Sequence, residues 1–464
     1  MNVLLIFVTM FLLMFLGTDI FVSMGAAAVV YLLVTGNAPL TLVPQNMING
    51  ISGFSLLAIP FFMLTGDLMN MSGMTLRLVN FAKFFIGRIR GCLAYTCVFV
   101  NVVAAGVSGS GPADCSMVSS VMLPAMKKDN YPDDFSAALN ASAAVVGPII
   151  PPSIPIVFIA MLTNLSVGKL LFGGLVPGLL MGAAMLVICY FETKKMDLHE
   201  EDQPSPTWKG FWAMMKESFL SVMAPVIIIA GVLTGFVTVT EVAILAAGYV
   251  LIVGVFVYKT IRLKDVLKCL KSSILFSSGI MALFSIVGIF SWLIAVEEVG
   301  KTLAALVVSW NLKPWVFFII INVWFLLMGM IMDAIPAMTI FVPVLLPIAT
   351  SLGIDPIHFG VVVVVNLMIG LITPPVGALL FVESKLSGVP LGRLTHRAMP
   401  FMLALIGILL LITYIPQLVT FIISMLPVFE LRGAIPVGVY LGLPVWKAAA
   451  ISLVGNMLPT PFII

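Results

Sequence analysis

Charge is what this chain lacks. Lys, Arg, Asp and Glu together make up 9% of its 464 residues, and histidine occurs three times. A soluble domain carries roughly 25% charged residues. Here 61% of the residues are hydrophobic and the mean hydropathy is +1.20. No soluble core can hide that much apolar surface, so the solvent must be lipid. A net charge of +3 is too weak to draw nucleic acid. His199, His358 and His396 are too dispersed for a histidine metal cluster. The five cysteines form no CxxC pair. Cys92, Cys97, Cys115, Cys189 and Cys269 lie in or beside apolar stretches and read as small buried hydrophobes. No convergent acid–base or nucleophile set is visible, which argues against an enzyme. Ala295 to Thr302 fits a loose phosphate-loop pattern, but it follows an apolar run and puts Glu297 and Glu298 where phosphates would sit. No other nucleotide-binding pattern is visible.

What the chain has is apolar runs. The first begins with no basic residue ahead of it, so residues 2–17 read as a retained membrane helix rather than a signal peptide. Further runs follow at 19–35, 51–75, 92–126, 135–160, 166–191, 214–235, 239–258, 272–297, 315–349, 357–382, 399–425 and 434–464. The longest polar interruption, Glu192 to Lys209, is too short for a domain. A straight membrane helix needs about 20 residues. Runs 92–126 and 315–349 are much longer and contain Gly109-Ser110-Gly111-Pro112 and Pro336 near their middles. Each is expected to be a hairpin that enters the bilayer and turns back. The basic stretch 76–91 is either an arm helix in the interface or a plain cytoplasmic loop.

The two halves share one spacing. From Pro124 to Pro151 is 27 residues, as from Pro347 to Pro374; from Pro152 to Pro177 is 25, as from Pro375 to Pro400. A single offset of 223 relates all four pairs and also carries Gly147 onto Gly370. This is the mark of an internal duplication. Basic residues are enriched on the cytoplasmic side of membrane proteins. If both long runs are hairpins and the repeats are inverted, Lys83, Arg88 and Arg90, then Lys127-Lys128, Lys194-Lys195, Lys259 to Lys271, and Lys385 to Arg397 all fall on one side. The expected fold is an all-α polytopic membrane protein with two inverted repeats, each holding a re-entrant hairpin and a broken helix, at 135–160 and 357–382.

Such architectures place substrate and coupling-ion sites near the bilayer midplane. Pro151-Pro152 and Pro374-Pro375 each remove two backbone donors and free carbonyls. In lipid those groups need a partner, and a hard cation prefers oxygen. Ser108, Gly109, Ser110, Asn140, Ser142, Gly147 and Ser153 surround the first break; Asp333, Thr339, Asn366, Gly370 and Thr373 surround the second. The sodium candidates are Ser110, Gly147, Asp333, Gly370 and Thr373. Serine and threonine in membrane helices often bond back to their own backbone, which is the plainer reading of each alone. Asp333, an acid within a membrane span, is the strongest candidate. Asp67, Asp114 and Glu241 rank below it. Asp67 reads as a membrane-edge residue, and Glu241 as the cap of a Thr238-x-x-Glu241 helix start.

Gly109-Ser-Gly-Pro-Ala-Asp114, Leu123-Pro-Ala-Met-Lys-Lys128, Gly147-Pro-Ile-Ile-Pro-Pro-Ser-Ile-Pro155, Thr238-Val-Thr-Glu241, Met332-Asp-Ala-Ile-Pro-Ala337, Val344-Leu-Leu-Pro-Ile-Ala349 and Asn366 to Gly377 together resemble the large membrane subunit of the tripartite ATP-independent periplasmic transporters. The resemblance runs from about residue 1 to about 420. It implies an elevator mechanism in the bacterial inner membrane, a sodium gradient as the driving force, and carboxylate substrates such as C4-dicarboxylates, sialic acid or other sugar acids. It implies two partners besides membrane lipid: a small Q-type membrane subunit and a periplasmic substrate-binding protein of the P type. On that reading 1–91 and 214–314 are scaffold helices and arms, 92–191 and 315–425 are transport parts, and 192–213 is a cytoplasmic loop. A stand-alone sodium/anion symporter or antiporter is the alternative. The segment 426–464 departs from the pattern and resembles the start of the small multidrug export proteins.

Overall fold

A computed structural model describes residues 2–415, 437–439 and 443–457, except 37, 87–89, 197, 199–207, 235–236, 300–301, 304, 306–308 and 310–311. Every regular element among the described residues is helical. Among the described residues eight helices are long and apolar enough to cross a membrane, or nine if a bent pair is one span. That pair, Asp133–Ile149 and Ile154–Leu162, turns by 41° at its break. Shorter apolar helices include Ile20–Thr35, Cys92–Val103 and Pro356–Gly370.

The duplication is visible in the element bounds. Helices Gly111–Lys128 and Asp133–Ala144 recur as Ala334–Ser351 and Pro356–Gly370, their first residues displaced by 223. Cys92–Ser108 recurs as Pro314–Ile331, displaced by 222 at its start; Ile154–Leu162 and Val167–Thr193 recur as Ala378–Ser387 and Leu391–Tyr414, displaced by 224. Contacts between the halves are reciprocal. Ala378–Ser387 packs on Gly111–Lys128 and Asp133–Ala144, while Ile154–Leu162 packs on Ala334–Ser351 and Pro356–Gly370. Leu391–Tyr414 packs on Asp133–Ala144, and Val167–Thr193 packs on Pro356–Gly370. Each element meets the other half's counterpart of its own neighbour, the signature of a two-fold relation.

Asp133–Ala144 and Pro356–Gly370 form the centre. Every residue from Phe135 to Ala144 and from His358 to Gly370 is buried. Asn140, Ser142, His358 and Asn366 are among them, polar side chains that lipid could not serve and that belong inside a bundle. The hairpin helix Pro314–Ile331 shows the opposite pattern, with Trp315, Ile319, Ile320, Val323 and Leu327 exposed on a face suited to lipid. A second group of helices lies beside this bundle: Leu42–Ile51 and Ala58–Met71 pack on the long helix Leu263–Val296, and Val239–Ile252 packs on Ala58–Met71.

Local chemistry sets the helix ends. Asp355 caps Pro356–Gly370 by accepting from the amides of Ile357 and His358, with Pro356 at the first position where no donor is needed. Gly388, at φ +72°, closes Ala378–Ser387 by donating its amide to the Ser384 carbonyl. Thr238 and Glu241 form a reciprocal capping box, as their spacing suggests.

Several boundaries differ from the sequence reading. The second hairpin turns at Met332-Asp333, not at Pro336. Pro336 falls in the first helical turn, where its missing N–H has no intrahelical partner to lose. Helix Leu263–Val296 begins earlier than expected and carries Lys264, Lys268 and Lys271 on its first turns. At 34 residues it is about 51 Å long, well beyond an apolar core of about 30 Å, so those turns can lie outside it. A helix, Met74–Ile86, covers most of the stretch 76–91 and is set off from Ala58–Met71 by Gly73 at φ +72°. Helix Ala378–Ser387 continues past the expected end at 382. In the C-terminal extension Val445–Met457 is helical, while 426–436 lies outside the described residues.

Candidate functional site

The first break joins the first hairpin. Gly109, at φ +61°, forms the hairpin tip with Ser110. A Cβ at Gly109 would lie 3.0 Å from the Pro152 carbonyl oxygen and 3.1 Å from the Ile154 amide nitrogen. The tip is therefore seated on the break, and only a residue without a side chain fits there. Gly109, Ser110, Pro151, Pro152 and Ser153 thus lie in one small region. A Cβ at Gly111 would lie 3.4 Å from Pro148 and 3.7 Å from Leu379 of the second half, so the tip also meets the opposite repeat. The side chain of Ser108 lies outside the described residues.

The two breaks have the same backbone form. The Gly147 carbonyl accepts from the Ile150 amide at 3.1 Å, and the Gly370 carbonyl accepts from the Thr373 amide at 3.0 Å. Both Pro151-Pro152 and Pro374-Pro375 are cis. The carbonyls of Gly147 and Gly370 are thus not wholly free; each keeps one lone pair. Gly370 also sits against Gly329 of the second hairpin, where a Cβ on Gly370 would be 2.6 Å from the Gly329 Cα.

The candidate side chains divide. Ser153 caps Ile154–Leu162, accepting from the Ile156 amide at 3.1 Å and donating to the Pro148 carbonyl. Thr339 donates to the Ile335 carbonyl at 2.9 Å, and Thr373 donates to the Ile369 carbonyl at 2.8 Å, each four residues back. Their oxygens keep lone pairs, while their protons serve the local backbone. Asp333 stands exposed at the turn of the second hairpin, and its carboxylate accepts from the Ala334 amide at 2.7 Å. Asn366 donates to Asn322 at 2.7 Å, while its own Oδ1 is buried with no hydrogen-bond partner. Ser142 Oγ is likewise buried without a partner. Ser142 stands five residues before Gly147, and Asn366 four before Gly370. Glu241 is absorbed by its capping box. Asp67 faces Ser272 and Ser273 of Leu263–Val296. Asp114 is fully buried in the first turn of Gly111–Lys128.

Asn140 belongs to a different cluster. Its Nδ2 donates to the Cys115 carbonyl at 2.9 Å and to Glu383 Oε2 at 3.0 Å, and its Oδ1 accepts from Asn101 at 3.0 Å. Glu383 also accepts from Ser119 Oγ at 2.9 Å and from Cys115 Sγ at 3.0 Å. Glu383, Asn140, Asn101 and Cys115 have no exposed surface. The network ties Ala378–Ser387 of the second half to Gly111–Lys128 and Asp133–Ala144 of the first. Glu383 escaped the sequence reading because it follows the expected end of the run at 382. An acid five residues past a Gly-Ala in an apolar stretch was the available signal. The described residues hold no cluster of His, Cys, Asp and Glu that could hold a metal ion, so any cation here must rely on carbonyl, hydroxyl and single carboxylate oxygens.

With this geometry in hand, the relatives are informative. The sialic acid TRAP transporter large permease SiaM of Vibrio cholerae is 35% identical over 405 residues, covering 87% of this chain and 94% of that protein. The C4-dicarboxylate TRAP transporter large permease DctM of Pseudomonas aeruginosa is 38% identical over 363 residues, covering 78% and 84%. The isethionate TRAP transporter permease DctMQ of Oleidesulfovibrio alaskensis is 36% identical over 405 residues, 87% of this chain but 64% of that longer protein. In fold, the chain resembles the YdaH transporter of Alcanivorax borkumensis with a TM-score of 0.58 at 16% identity, covering 79% of this chain and 86% of that one. Residues 430–464 match the small multi-drug export protein family, as the extension suggests. Residues 7–418 match the DctM component of the tripartite ATP-independent periplasmic transporters, and the chain belongs to that family of membrane transporters.

Proposed function

We propose that this chain is the membrane permease of a sodium-coupled importer of an organic acid, handed over by a periplasmic binding protein. The observation that carries the proposal is the matched pair of breaks. Each presents a glycine carbonyl with a spare lone pair, and ahead of each in the chain stands a buried oxygen without a hydrogen-bond partner, Ser142 Oγ five residues before Gly147 and Asn366 Oδ1 four before Gly370. Buried acceptors left unmet call for a water or an ion. Sodium, a hard cation, suits Gly147 and Ser110 at the first break, and Gly370, Thr373 and Asp333 at the second. The anion would be held by backbone amides at the N-termini of Gly111–Lys128 and Ala334–Ser351, which carry partial positive charge. The named relatives carry sialic acid, C4-dicarboxylates or isethionate, all small organic anions.

The reciprocal bundle of 92–191 and 315–415 forms the moving body of an elevator, and the described helices of 1–91 and 214–314 form its scaffold. Inversion of the repeats agrees with the one-sided placement of basic residues. The length by which the isethionate relative exceeds this chain fits a fused small subunit, which here would be a separate Q-type protein. The compartment is the bacterial inner membrane. The test is uptake of radiolabelled acids into proteoliposomes holding this chain and its small subunit, with and without an inward sodium gradient and the binding protein. Uptake that needs both supports the proposal. Uptake with sodium but without the binding protein points to a stand-alone symporter instead.

A further inference from the structure

We propose that Glu383 is a proton-binding site, reached from the face of the protein that bears Lys127 and Asp133. Its carboxylate is fully buried, and among the described residues it makes no ion pair. Its partners are donors. The Cys115 carbonyl can only accept, so the group facing it at 2.9 Å must be the Asn140 NH₂, which turns the other N–H of that amide toward Glu383. Asn140 Oδ1 is held by Asn101 on the far side. A metal ion beside Glu383 would meet the N–H of Asn140 and the S–H of Cys115, both of the wrong polarity. The one cation this site accommodates is a proton.

Ser119 is the partner that can reverse. As donor it serves the carboxylate; as acceptor it can receive an O–H from the carboxylic acid, because a hydroxyl does both. Ser119 also lines a cavity of about 330 Å³ bounded by Ser120, Leu123, Lys127, Asp133 and Leu386. The cavity ends one hydroxyl short of Glu383. A proton from hydronium in the cavity would join Ser119 Oγ as the Ser119 proton passes to Glu383 Oε1. The products are water, an intact serine and a neutral acid. The neighbouring charges are accounted for. Cys97 and Cys115, with Asp114 beside them, are the titratable groups nearest the carboxylate. Lys127 pairs with Asp133 at 3.2 Å, and Arg397 of Leu391–Tyr414 pairs with Glu192 at 3.2 Å and Asp134 at 3.7 Å. Lys128 ends Gly111–Lys128, Lys385 lies on Ala378–Ser387, and Arg393 and His396 lie on Leu391–Tyr414.

The inference stands apart from sodium coupling, and its first test needs neither substrate nor gradient. Infrared difference spectra of the purified wild-type protein between about pH 5 and pH 8 should contain a protonated-carboxyl band. That band should be lost in Glu383→Gln and shifted in frequency or midpoint in Ser119→Ala. In proteoliposomes Glu383→Gln should retain uptake but flatten its dependence on pH at the Lys127 face. A wild-type spectrum with no titrating carboxyl band overturns the proposal, as does a band unchanged in Ser119→Ala. So does an unchanged pH profile in Glu383→Gln, which would leave Glu383 a structural tie between the repeats. If Glu383→Gln does not fold, the Ser119→Ala shift decides alone.

Discussion

Replacing Gly370 with alanine should damage the second break through backbone contact alone. The added Cβ would sit 2.6 Å from Gly329 Cα and 2.7 Å from the Gly329 carbonyl carbon. Carbon atoms pack at about 3.5–4.0 Å, so the hairpin helix Pro314–Ile331 must withdraw by about 1 Å. No flexible side chain can give way, because both obstructing atoms are main chain. Gly329 has the mirror problem, since its own Cβ would meet the Leu367 carbonyl at 2.9 Å and Gly370 Cα at 3.0 Å. Overpacking of this kind costs ~1–3 kcal/mol, and a melting point drop of about 2–6 °C is expected for the detergent-purified protein. Gly407→Ala is the control. It lies in Leu391–Tyr414 with nothing within 4 Å of its Cβ, and helix propensity favours alanine there by up to ~1 kcal/mol. If the proposed sodium site includes the Gly370 carbonyl, the withdrawal should also weaken sodium binding, because it moves that carbonyl. Sodium protection against thermal unfolding should fall in Gly370→Ala and persist in Gly407→Ala. Equal melting points for the two variants would refute the close approach.

Other variants separate structural from functional roles. Asn140→Leu removes the centre of a buried network and strands Asn101, the Cys115 carbonyl and Glu383; a loss of ~3 kcal/mol or more is expected in thermal unfolding. Glu241→Gln weakens a capping box at an exposed helix start, so only a small drop in melting point and an unchanged sodium dependence of uptake are expected. Arg397→Gln removes partly exposed pairs with Glu192 and Asp134, and a stability loss under ~1 kcal/mol is expected by the same measurement. Thr373→Val keeps the shape but deletes an oxygen at the second break; stability should change little while the sodium concentration for half-maximal uptake rises about tenfold.

Much of this architecture is legible in order along the chain because prolines leave marks that lipid does not blur. Pro124, Pro151, Pro347 and Pro374 fixed the repeat offset, and the element bounds follow it closely. Glu241 was readable because a capping box is local. The turn of the second hairpin was misplaced because Pro336 looks like a breaker, whereas a proline in the first turn costs a helix nothing. Asn140 was grouped with the first break by nearness in sequence, yet its side chain points to residues 25 and 243 positions away. Glu383 lies just past the expected end of the run at 382. Its donors come from the other repeat, and nothing near it in sequence announces them.

The central claim is that sodium and the organic acid move together and only when the acid is delivered. The most direct test follows radioactive sodium and labelled acid in the same proteoliposomes, with the small subunit present throughout. Both should enter in fixed proportion when the loaded binding protein is added, and neither when it is withheld; Asp333→Asn should reduce both together. Acid entering at full rate without sodium, or sodium and acid entering independently, would contradict the account.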